Sequence, residues 1–189
     1  MQSRSPSGQA VPSDRPARPW RVAKYSVTLV IAALLASCGS AGQAVKTAAI
    51  VTGNDSSLTA HLLLVSSSTA ANGGFNFDGY GNGAMRITIP LGWLVDVTCK
   101  NASSLLSHSC AVIEDRPLSP YGAPLAFPGS STPDPKTGLL PGDSSNFSFR
   151  ATKVGTYRIS CLVSGHEIDG MWDWLDVIRG GLPTVKTPS

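Results

Sequence analysis

Cys161, His166 and Met171 stand in one short stretch, Cys161-Leu-Val-Ser-Gly-His166-Glu-Ile-Asp-Gly-Met171, with four residues in each gap. Far upstream, His108 begins another strand-like run and offers a second imidazole. Two histidines, one cysteine and a weak axial methionine are the donor set of a type 1 copper site. Thiolate and thioether suit Cu(I), imidazole suits either oxidation state, and a geometry between the two preferences keeps rearrangement small when an electron moves. Taken singly, each residue reads as an ordinary buried cysteine, loop histidine or core methionine. In this order and spacing, after an alternating strand, they point to one copper ion held by His108, Cys161, His166 and Met171. His61, the remaining histidine, sits at the start of an early strand and reads as a structural or surface residue.

Donors so far apart in the chain need a scaffold of paired strands. Short alternating runs supply it. His61–Ser66 is apolar, and Met85–Ile89 alternates until Pro90 stops it. Leu94–Cys99 puts Val95, Val97 and Cys99 on one face. His108–Ile113, Asn146–Arg150, Gly155–Cys161 and Trp172–Ile178 complete the set. The 116–146 stretch is dense in Pro, Gly and Ser and reads as a long irregular cover. Strands with regular turn signals, and no helical period, predict an all-β protein, a sandwich or barrel. Glu167 and Asp169, hard oxygen donors between the soft ones, read as solvated loop residues. Trp172 and Trp174 read as packing, or as an apolar shell that excludes water and tunes a metal.

The ligand stretch, preceded by Gly155-Thr156-Tyr157, resembles the C-terminal loop of the cupredoxins. Its two four-residue gaps are similar to those of sulfocyanin and rusticyanin. Phe75-Asn-Phe-Asp-Gly79, Ile89-Pro-Leu-Gly-Trp93 with Val95-Asp-Val-Thr98, and Gly170-Met-Trp172 also resemble sulfocyanin. The likeness spans about residues 58–180 and is weak over 116–146. It implies a Greek-key β-sandwich of seven or eight strands, a type 1 copper that carries single electrons, and no catalysis. Cupredoxins commonly place Asn after the first histidine ligand and Pro before it; this chain has Ser109 and Ser107.

Charge and leader complete the reading. Charged residues make up 14% of the 189-residue chain, against an average of about 25%. Residues 1–37 hold Arg4, Arg15, Arg18, Arg21 and Lys24 against Asp14, a balance of +4 in a chain of net +3, so the remainder is at −1. The basic excess belongs to the leader, and no footprint for nucleic acid remains. Residues 25–37 form an apolar run of about a dozen residues, short of the roughly 20 that span a membrane. A basic segment ahead of such a run is the layout of a secretory signal. Leu35-Ala36-Ser37-Cys38-Gly39 resembles a bacterial lipobox, which implies cleavage before Cys38 and lipid on its sulfur. Acyl chains then hold the protein on a membrane without a spanning helix; an uncleaved anchor is the alternative. Expected segments are a signal peptide at 1–37, a flexible tether at 38–57, a cupredoxin domain at 58–180 and a tail at 181–189. With Cys38 given to lipid and Cys161 to metal, Cys99 and Cys110 remain. An even remainder outside the cytoplasm suggests a disulfide; two buried thiols, or a metal role, are the alternatives. The expected protein is a monomeric, extracytoplasmic lipoprotein, on the outer face of the cytoplasmic membrane or in a periplasm, with membrane or extracytoplasmic redox proteins as partners. A copper chaperone or storage lipoprotein of the same fold is the alternative function.

Overall fold

A computed structural model describes residues 49–188. Nine strands form two sheets: β1 (Val51–Asn54), β2 (Thr59–Ser66), β3 (Arg86–Pro90), β4 (Leu94–Asn101), β5 (Ala111–Glu114), β6 (Ser144–Arg150), β7 (Gly155–Ser160), β8 (Trp172–Ile178) and β9 (Thr184–Lys186). The first sheet runs β1-β2-β4-β6 and the second β5-β7-β8-β3-β9. The β2/β4 and β3/β8 pairs are parallel and the other strand pairs antiparallel.

Side-chain alternation explains why these segments are strands. Ala60, Leu62 and Leu64 on β2, with Val95, Val97 and Cys99 on β4, are buried at every second position. Ile87 and Ile89 on β3, Tyr157 and Ile159 on β7, and Leu175 and Val177 on β8 do the same in the second sheet. Period-2 burial lets each sheet present one apolar face, and the two faces close on one core. Cys99 and Cys110 join across this core as a disulfide, with Cα atoms 6.0 Å apart. Cys99 lies on β4 and Cys110 just ahead of β5, so the bond links the two sheets.

Three boundaries differ from the sequence reading. Residues 51–54, assigned there to a tether, form β1 against β2 in the register Val51–Leu62 to Asn54–Thr59. Residues 184–186, assigned to a tail, form β9 against β3. Both edge strands are short and polar, so no alternation betrayed them, and they bring the strand number to nine rather than seven or eight. The run beginning at His108 becomes a ladder only at Ala111. His108 itself makes an isolated bridge with Leu139.

The 116–146 stretch is more than cover. It runs beside β5, bridging Ile113 to Leu125 and Ala111 to Ser131. Phe127 reaches from it into the core and stacks on Phe149, with centroids 5.2 Å apart. Among the described residues no helix is long and apolar enough to cross a membrane. The leader at 1–37 and Cys38 lie outside the described residues.

Candidate metal centre

Two segments at one end of the sandwich bring the donors together. His108 stands three residues before β5. Cys161 directly follows β7, and the loop from Cys161 to Met171 returns to β8. Its ends are pinned: the Cys161 amide donates to the Met171 carbonyl at 3.2 Å, and the Met171 amide donates to the His166 carbonyl at 2.9 Å. Paired strands thus fix a loop that carries three of the four candidate residues. Upstream, His108 exchanges both backbone bonds with Leu139, at 3.1 and 2.7 Å. Gly138 permits that approach: it holds φ +78°, and a Cβ there would come within 3.0 Å of the His108 carbonyl.

His108, Cys161 and His166 converge, with one ligand atom from each within 4.8 Å of the others. Cys161 Sγ is 3.3 Å from His166 Nδ1, and the two imidazole centroids are 5.0 Å apart. All three are buried, His108 to 1% exposure and His166 to 8%. Met171 is fully buried at the loop's end. His61 lies elsewhere, on the outer face of β2, paired with Asp96 at 3.6 Å in an exposed position.

The electrostatics suit a metal. Burial pushes His108 down to about 4, with His166 adding to the effect. Burial also lowers His166, and the Asp169 charge opposes it. Both imidazoles are therefore neutral near pH 7, each with one unprotonated ring nitrogen. Burial pushes the Cys161 thiol up, opposed by hydrogen bonds from Ser109 and Val163. Neither ring nitrogen of His108 has a hydrogen-bond partner, although both are buried. An orphaned imidazole beside a buried thiol is costly unless a cation joins them. Two nitrogens and one sulfur are the plane of a type 1 copper donor set, and they fit a copper ion.

Ser109, which stands where cupredoxins commonly have asparagine, contacts the ligand loop directly. Its amide donates to Cys161 Sγ at 3.3 Å. Its hydroxyl accepts from the Leu162 amide at 2.9 Å and lies 3.6 Å from the same sulfur. One buried serine thus ties the His108 segment to the Cys161 loop. Phe75 packs edge-on against both imidazoles, with centroids 4.9 Å from His166 and 6.4 Å from His108. Only its place in the Phe-Asn-Phe string drew attention to it.

Glu167 is not solvated. It is 2% exposed and lies 3.2 Å from Arg158 Nη1, itself 2% exposed. The sequence reading missed both, because Arg158 occupies the outward position of an alternating strand and Glu167 sits in a polar loop. The covering 116–146 stretch buries them, and no local pattern announces that. Asp169 is exposed, in line with the reading.

A sulfocyanin (SoxE) domain model matches residues 46–185. The chain belongs to the sulfocyanin family. Domains of this family are cupredoxins, which bind a copper ion and carry electrons rather than catalyse a reaction. Sulfocyanin from Sulfolobus acidocaldarius is 29% identical over 126 residues, which is 63% of either chain. The match therefore spans less than two thirds of that relative. Among solved structures, rusticyanin from Thiobacillus ferrooxidans is 24% identical, with 68% of this chain and 88% of that one covered and a TM-score of 0.49. Auracyanin from Roseiflexus castenholzii is 20% identical, with 68% and 100% covered and a TM-score of 0.46. The family match starts at residue 46, ahead of β1, and ends within β9.

Proposed function

We propose that this sulfocyanin-family chain is a one-electron carrier whose His108, Cys161, His166 and Met171 would hold a single type 1 copper. The observation that carries it is the convergence of the three donors, buried and within 4.8 Å of one another, around an imidazole with no other partner for either nitrogen. Copper, when bound, supplies the one-electron couple. The chain's own residues do the rest. Cys161 gives up its thiol proton on metal uptake, so uptake is proton-linked. Ser109 holds the sulfur's orientation through its amide, and such outer bonds tune a metal's potential. Phe75 and the apolar surroundings keep water from the imidazoles. His166 is 8% exposed and His108 1%, so the edge of His166 is the port through which the electron leaves or enters.

The preformed donor set favours a carrier over a copper chaperone or store, which must release its metal. The reading extends to an extracytoplasmic location with membrane-associated redox partners. The Cys99–Cys110 bond supports it, since disulfides persist outside the reducing cytoplasm. Lipid on Cys38 belongs to the same proposal. Mass spectrometry of the mature N-terminus tests it: an unmodified, uncleaved Cys38 rules out the lipoprotein.

The main test is an optical and paramagnetic-resonance spectrum of the copper-loaded protein beside Cys161→Ala. An intense visible thiolate-to-copper band with narrow copper hyperfine splitting, lost in the variant, is expected. A pale tetragonal spectrum unchanged by the variant would overturn the proposal.

A further inference from the structure

Strand β7 carries a guanidinium on the face away from the core, yet Arg158 is 2% exposed. Its Nη1 lies 3.2 Å from Glu167 Oε1, its Nη2 donates to the Arg116 carbonyl, and Asp115 stands 3.6 Å from Nε. The guanidinium also lies over the Trp172 ring, 5.7 Å from its centroid. The second oxygen of Glu167 accepts the Ser119 amide at 3.2 Å. Close by, the Gly165 amide donates to the Pro120 carbonyl at 3.0 Å.

These contacts have a pattern. Glu167 adjoins His166, and Trp172 adjoins Met171. Arg116 and Ser119 belong to the covering stretch, and Arg158 to β7. One buried ion pair therefore touches the ligand loop next to two of its candidate donors and ties it to two separate segments. Desolvation offsets much of the attraction in such a pair, so stability alone is a weak reason for one, whereas fixing a register is a well-attested use. Between Leu162 and Gly170 the loop has no strand partner. Its own bonds are turns, from His166 to Val163, Asp169 to Gly165 and Gly170 to Glu167. Turns hold a local shape. What ties the loop to the body of the protein is the Gly165–Pro120 bond, the Asn72 side-chain amide to the Asp169 carbonyl and the Asn82 amide to the Gly170 carbonyl, both at 2.8 Å, and Glu167, which adds the charged anchor.

We propose that the Arg158–Glu167 pair is a latch that positions His166, clamping the ligand loop to the covering stretch so that the donor set is formed before metal arrives. The role in copper binding rests on the electron-carrier reading above; the clamping itself does not. Arg158 and Glu167 act through the loop and are positioning residues.

Two measurements on the full-length protein test it. Glu167→Gln keeps the side chain's shape and an acceptor for the Ser119 amide while removing the ion pair. In the metal-free variant, the amides of Asp169, Gly170 and Met171 should exchange with solvent at least about tenfold faster, as when one partner of a buried ion pair is removed. Amides of β2 and β4 should keep their rates. In the copper-loaded variant the hyperfine splitting and the reduction potential should both move. Arg158→Lys, which keeps the charge but not the fork to Arg116, should fall between the variant and wild type. Loop exchange and copper signature both unchanged in Glu167→Gln, with only the melting temperature lowered, would leave a purely structural pair and overturn the latch. If wild-type protein gives no type 1 spectrum, the electron-carrier reading fails instead, and the exchange rates still decide whether the pair clamps the loop.

Discussion

Breaking the Cys99–Cys110 bond should cost stability while leaving the metal centre in place. The two cysteines are 11 residues apart in sequence. Closing a loop of that length in the unfolded chain removes entropy equivalent to about 2.8 kcal/mol at 25 °C. For a domain of this size each kcal/mol moves the melting temperature by roughly 3–5 °C, so the loss should be about 8–14 °C. Reduction keeps both sulfur atoms and isolates this chain term. The double variant Cys99→Ala/Cys110→Ala also removes packing at two sites with no exposure, and so should lose more. Cys110 is only two residues from His108, yet His108 is held separately by its two bonds to Leu139, and Ser109 by Cys161 and Leu162. The assay is urea unfolding of metal-free protein, oxidised against reduced, with the optical spectrum of the copper-loaded double variant. A stability loss under a third of the calculated value would refute the closure argument. Loss of the thiolate-to-copper band with the fold intact would refute the independence of the His108 anchor.

Two further predictions follow from single residues. Ser109→Ala should destabilise by about 1–3 kcal/mol, because it leaves the buried Leu162 amide without its acceptor, and should shift the thiolate-to-copper band by removing the hydroxyl beside the sulfur; unfolding and absorption measured together check both parts, and an unmoved band would leave the retained backbone amide as the one Ser109 group that acts on the sulfur. Asp78→Asn should stabilise the protein at neutral pH. Desolvation pushes Asp78 up to about 6, so its folded state favours the neutral acid: that contribution is complete below the ordinary value of 3.8 and is lost as pH rises through about 6. The shift is worth at most about 3 kcal/mol. Asparagine tolerates the φ of +54° held there, so the variant's advantage in melting temperature should grow between about pH 4 and pH 7, and a pH-independent difference would refute the desolvation argument.

The strands with a buried face were legible because burial imprints a period of two. Ile87 and Ile89, or Val95 and Val97, carry that signal without help. β1 and β9 were not legible, since Val51–Asn54 and Thr184–Lys186 lie at sheet edges with little to bury, and backbone pairing alone recruits them. Of the three side chains that converge, Cys161 and His166 were readable because one loop fixes their spacing. Phe75 reaches His166 from a loop about 90 residues earlier, and no local pattern contains that contact.

Arg158 and Glu167 are the hardest case, and they say most about how the site is built. A charged residue at an outward strand position is ordinarily solvated, and so is a glutamate in a glycine-flanked loop. Both become buried only because the 116–146 stretch folds over them. Yet that same stretch brings the acceptor for Arg158, at Arg116, and the donor for Glu167, at Ser119. It also supplies Leu139 to His108 and Phe127 to the core. A segment rich in Pro, Gly and Ser has little apolar surface of its own to order it. Its order comes from these few anchors, and several of them end at or beside a candidate ligand. The cover and the metal centre are therefore one cooperative unit: loosening the cover should loosen the donors before it unfolds the sandwich.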